Sequence, residues 1–169
     1  HAEGAPVVRT QSLVVGVGTG FNVCPVLHRG DWVETLEVEF GHVSLPAGVT
    51  AAAKRRYGDI SDMFQTVEEC FSGRGYKALL DRGGTKEDYA LLLAALARDL
   101  MMAFMPRAGL YFNGGVARSV LASPAQSEFV RAFAEPFSLA PDLSVPVRLI
   151  NDDSAALVGC ARVGVSRTD

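Results

Sequence analysis

The chain has 169 residues, 49% of them hydrophobic and 21% charged, with a formal net charge of -3. That balance excludes a disordered chain and lacks the basic excess of a nucleic-acid binder, and the length suits one domain with a sizeable core. Cys24, Cys70 and Cys160 form no CxxC pair, so neither a zinc site nor a disulfide framework is indicated, and reduced thiols are the expectation. The longest apolar stretch, Ala90 to Met105, is broken by Arg98 and Asp99 and is too short and too charged to span a bilayer.

In chain order, Ser12 to Val17 reads as a buried strand running into the tight turn Gly16-Val17-Gly18-Thr19-Gly20. Phe21 to His28 is a second strand, Arg29-Gly30-Asp31 a hairpin turn, and Trp32 to Phe40 a third strand. On that third strand Leu36, Val38 and Phe40 fall on one face and Glu37 and Glu39 on the other. The pattern then turns helical over Ala47 to Tyr57. Thr66-Val67-Glu68-Glu69 resembles a capping box, opening a short helix that stops at Ser72-Gly73. A second short helix is predicted over Tyr76 to Leu80 and is broken at Arg82-Gly83-Gly84.

Thr85 opens the longest helix, with Glu87 and Asp88 in its first turn and a stripe of Tyr89, Leu92, Leu93, Leu96, Leu100 and Phe104. Pro106 ends it. A strand over Gly109 to Phe112 leads through Gly114-Gly115 into a helix, and Ser123-Pro124 starts another. Val147 to Ile150 is a last strand, and Asn151-Asp152-Asp153 caps a last helix over about Ser154 to Val163. The prediction is one α/β domain, residues 1–169, with a mixed five-stranded sheet and helices on both faces.

Three constellations carry chemistry. The glycines at 16, 18 and 20 let the backbone approach an anion closely, and successive amides there could make a concave anion site. Neither GxGxxG nor GK[ST] spacing is present, so a plain turn and a phosphate site are both open. Glu39 and His42, three apart around Gly41, could hold vicinal hydroxyls. On spacing alone, a surface carboxylate and a loop histidine are the commoner case. Glu68 alone reads as a dipole partner. Gly114-Gly115 brings amides and a helix end toward a ligand, or simply turns the chain.

These pieces, in this order, resemble the bacterial glucokinase family, of the sugar kinase, heat-shock ATPase and actin superfamily. The carrying stretches are VVGVGTGFNVCPV, VEFGHVSLP, VEECFSGRGY, LYFNGGVARSV and VRLINDDSAALVGCARVG. The resemblance implies a ribonuclease H-like (actin-like ATPase) fold. It also implies ATP-dependent phosphorylation of glucose, or a similar hexose, at the 6-hydroxyl, with Mg²⁺. Gly18, Thr19 and Gly20 match the family's second phosphate loop. Glu39 and His42 match its E-x-G-H glucose turn, Glu68 a further glucose-binding glutamate, and Gly114 and Gly115 the turn beside the nucleotide. Where the phosphate loop usually continues with glycine, this chain has Asn22.

The family's N-terminal small lobe, with its D-x-G-G-T loop and its aspartate base, has no counterpart here. Gly83-Gly84-Thr85 follows Arg82 in mid-chain and is not that loop. The expectation is therefore the C-terminal large lobe alone, with the sugar and phosphate residues but no catalytic base and negligible turnover by itself. A cytoplasmic homodimer is implied as well. The related repressor and sugar kinase family also uses a glutamate–histidine sugar site, but the cysteine cluster that usually follows it is missing after His42. The competing expectation is a non-catalytic sugar-binding or regulatory module of the same fold.

Overall fold

A computed structural model describes residues 9–29, 32–137, 144–152 and 154. Five strands, β1 (Arg9–Val17), β2 (Phe21–Arg29), β3 (Trp32–Thr35), β4 (Gly109–Asn113) and β5 (Val147–Leu149), form one sheet in the order β3-β2-β1-β4-β5. The pairs β1–β2 and β2–β3 are antiparallel, while β4 joins β1, and β5 joins β4, in parallel. This is the mixed five-stranded sheet read from the sequence.

Strand alternation decides where the core lies. Register sets Val15 beside Val23 and Phe112, and Val17 beside Phe21, so these side chains share one face, and all are buried. Val14, Cys24 and Tyr111 stand on the other face and are half-buried. Among the described residues six α-helices follow: α1 (Ala47–Tyr57), α2 (Val67–Phe71), α3 (Gly73–Asp81), α4 (Lys86–Phe104), α5 (Gly115–Leu121) and α6 (Gln126–Phe133). Their spine is α4, whose predicted stripe is buried at Tyr89, Leu92, Leu93, Leu96 and Leu100 and half-buried at Phe104, with α1 and α6 packed against it. The turn residues Gly30 and Asp31, and the predicted last helix beyond Ser154, lie outside the described residues.

Local capping chemistry places the helix starts. Thr66 Oγ1 accepts from the Glu69 amide while Glu69 Oε2 accepts from the Thr66 amide, a complete capping box at α2. Thr85 and Asp88 do the same at α4, and Arg56 pairs with Asp88 at 2.5 Å. Ser72 ends α2 and caps α3, so α3 begins at Gly73, earlier than the predicted Tyr76. A Cβ at Gly75 would overlap the carbonyls of Glu69 and Cys70, which is why two helices can follow one another so tightly. Ser123-Pro124-Ala125 makes a turn of its own, and α6 starts after it, at Gln126.

One expectation about the sheet is corrected. The predicted third strand runs to Phe40, but β3 stops at Thr35. The cause sits on the neighbouring strand. Thr35 pairs with Val26, and the next residue of β2 is Pro25, which has no N–H to give. Its carbonyl still accepts from the Leu36 amide at 3.1 Å, and there the ladder ends. Residues 36–39 therefore leave the sheet as a strap, and Phe40–His42 form a single 3₁₀ turn. Glu39 opens that turn and does not stand on a strand face.

Candidate functional site

The cleft is built where the ends of β1 and β4 meet the strap. Gly16, Gly18, Gly20, Asn22, Glu39, Glu68, Asn113 and Gly114 are among the residues lining an opening of about 430 Å³. Its glycines are there for reasons of space. Gly114 has φ +103°, and a Cβ on it would overlap the Val17 carbonyl, so the β4–α5 turn lies directly on the end of β1. The Gly73 amide donates to the Gly18 carbonyl at 2.7 Å, which seats the start of α3 on the glycine-rich turn.

Glu68 is held from several directions. Its Oε2 accepts from the Phe21 amide at 3.4 Å. A Cβ on Gly20 would stand 3.3 Å from that same oxygen, and one on Gly41 would stand 2.5 Å from the Phe21 carbonyl and 3.3 Å from Glu68 Cβ. At Gly41 only glycine lets the strap close against the Phe21 carbonyl, while at Gly20 a side chain would press on the carboxylate itself. A short bridge between Ser44 and Thr66 ties the strap to the start of α2, with the Val67 amide donating to the Val43 carbonyl at 3.0 Å. Below, Phe21 packs on Phe71, Phe71 on Tyr89, and the buried Tyr89 hydroxyl donates to the Phe71 carbonyl at 2.9 Å. The two adjacent glutamates divide the work. Glu69 is spent on the Gln65 and Thr66 amides, which hold its carboxyl below the usual range, and Glu68 is left facing the cleft.

Glu39 and His42 sit on the rim. Their side chains are 76% and 72% exposed, with Glu39 Oε2 3.9 Å from His42 Nε2. Phe40, between them, points inward and meets the ring of Phe104 edge-on at 5.8 Å. Glu39 lines the opening together with Glu68, and His42 stands beside it, outside the lining.

The two glycine turns differ in the backbone donors they leave free. The Gly18 amide already donates to the Gly20 carbonyl at 3.0 Å, and the Gly114 amide to Asn113 Oδ1 at 2.7 Å. The amides of Thr19 and Gly20 have no protein partner among the described residues, and both residues are exposed. A Cβ on Gly18 would lie 3.8 Å from the Gly115 nitrogen, so the two turns approach to van der Waals contact, while Gly115 itself faces open space. The Gly18 and Gly114 amides are thus used internally, whereas those of Thr19, Gly20 and Gly115 have no protein partner among the described residues.

Asn22 and Asn113 also line the cleft, and sequence reading did not assign either a role there. Each follows or precedes a glycine turn, which was the available signal. Asp152 accepts from the amide and hydroxyl of Ser154 at 2.8 and 2.7 Å, a local turn, and these bonds hold its carboxyl below the usual range. Cys70 is buried, which pushes its thiol up to about 12; Cys24 and Cys70 are free, and Cys160 lies outside the described residues. Among the described residues no group of three or more His, Cys, Asp or Glu could hold a metal, and no helix is long and apolar enough to cross a membrane.

The model of the glucokinase family matches residues 84–166. The glucokinase of Rhizobium johnstonii is 28% identical over 184 residues, covering 87% of this chain and 52% of that protein. The glucokinase of Saccharophagus degradans is 26% identical, with 88% and 56% covered. The chain thus spans about half the length of the curated relatives it matches. Among solved structures, a glucokinase from an Antarctic psychrotroph superposes with a TM-score of 0.68 at 23% identity, over 94% of this chain and 59% of that one. The Leishmania braziliensis glucokinase gives 0.60 at 18%, over 94% and 53%. At those identities the superpositions show the fold alone, an actin-like ATPase fold shared with these glucokinases. The resemblance to the glucokinase family is therefore borne out as a similarity: the family's model matches residues 84–166, and the chain aligns with the C-terminal part of the curated glucokinases.

Proposed function

We propose that this chain is the large lobe of an ATP-dependent glucokinase, supplying the sugar-holding and phosphate-holding halves of its cleft. The observation that carries the reading is the shared opening, which Glu39 and Glu68 line together with Gly18, Gly20 and Gly114. A sugar ring offers hydroxyls that donate, and two carboxyl groups offer acceptor oxygens on two sides, with His42 able to donate or accept at the rim. Opposite them, Thr19, Gly20 and Gly115 present backbone donors suited to phosphate oxygens.

Phosphoryl transfer needs positioning and charge neutralisation more than covalent help from the protein. In this reading Glu68, the best-held group, fixes the ring, and Glu39 with His42 closes over a second pair of hydroxyls. The glycine turns hold the terminal phosphates of ATP beside the primary hydroxyl. Mg²⁺ would neutralise phosphate charge; with no carboxylate cluster among the described residues, its ligands here would be phosphate oxygens and water rather than a protein cage. The proton acceptor is assigned outside this chain, as are the second wall of the cleft and a cytoplasmic homodimeric setting.

A coupled ATP–glucose assay tests the division. This chain alone should bind glucose with negligible turnover, since loss of a positioned base costs roughly 10²–10⁴-fold. Robust glucose phosphorylation by the chain alone would contradict the assignment. In a catalytically competent protein, Glu39→Ala and His42→Ala should weaken sugar binding much more than ATP binding. Equal small effects would return both residues to the surface.

A further inference from the structure

The carboxamide of Asn22 has two N–H donors and an oxygen that can accept two bonds, and all four capacities are used. Nδ2 donates to the Val38 carbonyl at 2.7 Å and to Glu39 Oε2 at 3.3 Å, while Oδ1 accepts from the amides of Val23 at 2.8 Å and Phe40 at 3.1 Å. The orientation of the amide is settled by its partners, because two backbone amides can only donate and a carbonyl can only accept. Three of the four partners lie in residues 38–40. These are the residues stranded when Pro25 ends the β2–β3 ladder. Carried past Pro25, the pairing register would set Asn22 opposite Glu39. The side chain thus replaces the lost ladder, and it adds something a backbone does not offer here, a donor aimed at the Glu39 carboxylate.

We propose that Asn22 is a positioning residue of the sugar site, pinning the strap to β2 and turning Glu39 over the cleft so that one carboxylate oxygen is held and the other is left for a sugar hydroxyl. This rests on the sugar-site reading above. Other side chains fail for separable reasons. Alanine leaves the Phe40 amide and the Val38 carbonyl without their partner. Aspartate keeps the two acceptor bonds but loses both donors, and it sets a second negative charge beside Glu39. Glycine gives no bonds at all.

The test uses the isotope-labelled full chain, with glucose and a non-hydrolysable ATP analogue as separate probes and amide exchange at Phe40 as a ligand-free readout. In Asn22→Ala the Phe40 amide should exchange faster and glucose should bind about 10- to 100-fold more weakly, the range for losing a bond to a charged group, with analogue affinity within about 2-fold. Asn22→Asp should keep Phe40 protected yet lose glucose at least as badly, which separates holding the strap from orienting the carboxylate. Unchanged Phe40 exchange in Asn22→Ala, or equal losses for both probes, would overturn the proposal. If the unsubstituted chain binds no glucose, the sugar reading itself falls, while faster Phe40 exchange in Asn22→Ala would still establish that Asn22 holds the strap.

Discussion

The two walls of the cleft proposed to hold the sugar are made very differently. Glu68 stands in the first turn of α2, behind a capping box, over an aromatic stack that reaches α4, and between Gly20, which packs closely on its carboxylate, and Gly41, where a Cβ would overlap the Phe21 carbonyl. Glu39 and His42 stand on a strap outside the sheet, largely in solvent, held from the β2 side by one carboxamide and from below by Phe40. One wall is a product of the fold. The other is an attachment to it. Substitutions behind the first should therefore cost stability and binding together, whereas those on the second should cost binding alone.

The largest effect should come from Gly114→Ala. With φ +103° and the Val17 carbonyl in the way, the added methyl should cost about 3 kcal/mol of unfolding free energy, read by chemical denaturation. A loss below about 0.5 kcal/mol would mean that the β1 and β4 turns do not pack as described. Next comes Glu68→Ala. It should weaken glucose binding by about 100-fold, with a measurable loss of stability as well, because the Phe21 amide loses its acceptor.

Glu39→Ala should weaken glucose binding by about 10-fold while stability moves by less than about 0.5 kcal/mol, the contrast the two walls require. Similar stability losses for Glu39→Ala and Glu68→Ala would erase the distinction. At the helix starts, Thr85→Ala should cost about 1 kcal/mol by removing the α4 cap.

The smallest effect is a pH dependence. Burial pushes the Asp88 carboxyl up, but the Thr85 amide and hydroxyl and the Arg56 guanidinium outweigh it, so the group sits below its ordinary 3.8. A depressed carboxyl stabilises the fold above its unfolded value. That contribution should fade as pH falls from about 3.8 through the lower folded value. Acid unfolding of Asp88→Asn, compared with the unsubstituted chain, reads it. Identical acid limbs would contradict it.

Sequence reading found the parts that depend on near neighbours. The α2 capping box spans only four residues, and Thr66/Glu69 is legible as such, whereas at α4 the sequence shows only Thr85 as a helix start with Asp88 in the first turn, and the second box comes from the structure. The α4 stripe and the turn glycines follow from periodicity and from backbone freedom. What escaped was set by residues distant in sequence. The end of β3 is decided by Pro25 on the facing strand, ten residues before Thr35. The start of α3 depends on Ser72 capping in both directions. Asn22 was noted only as a departure from glycine, because its partners at 38–40 come within reach only once β2 and the strap are side by side. The capping-box spacing already assigns Glu69 to the helix start, and the structure adds that Glu68, the neighbour left over, lines the cleft.

The most direct test of the central claim is a glucose titration of the labelled chain followed at backbone amides. Perturbations should concentrate at Phe21, Phe40, Gly41, His42 and Glu68 and vanish in Glu68→Ala, with Thr19, Gly20 and Gly115 responding instead to the ATP analogue. A glucose response that survives Glu68→Ala unchanged, or that maps away from this cleft, would contradict the assignment of the site.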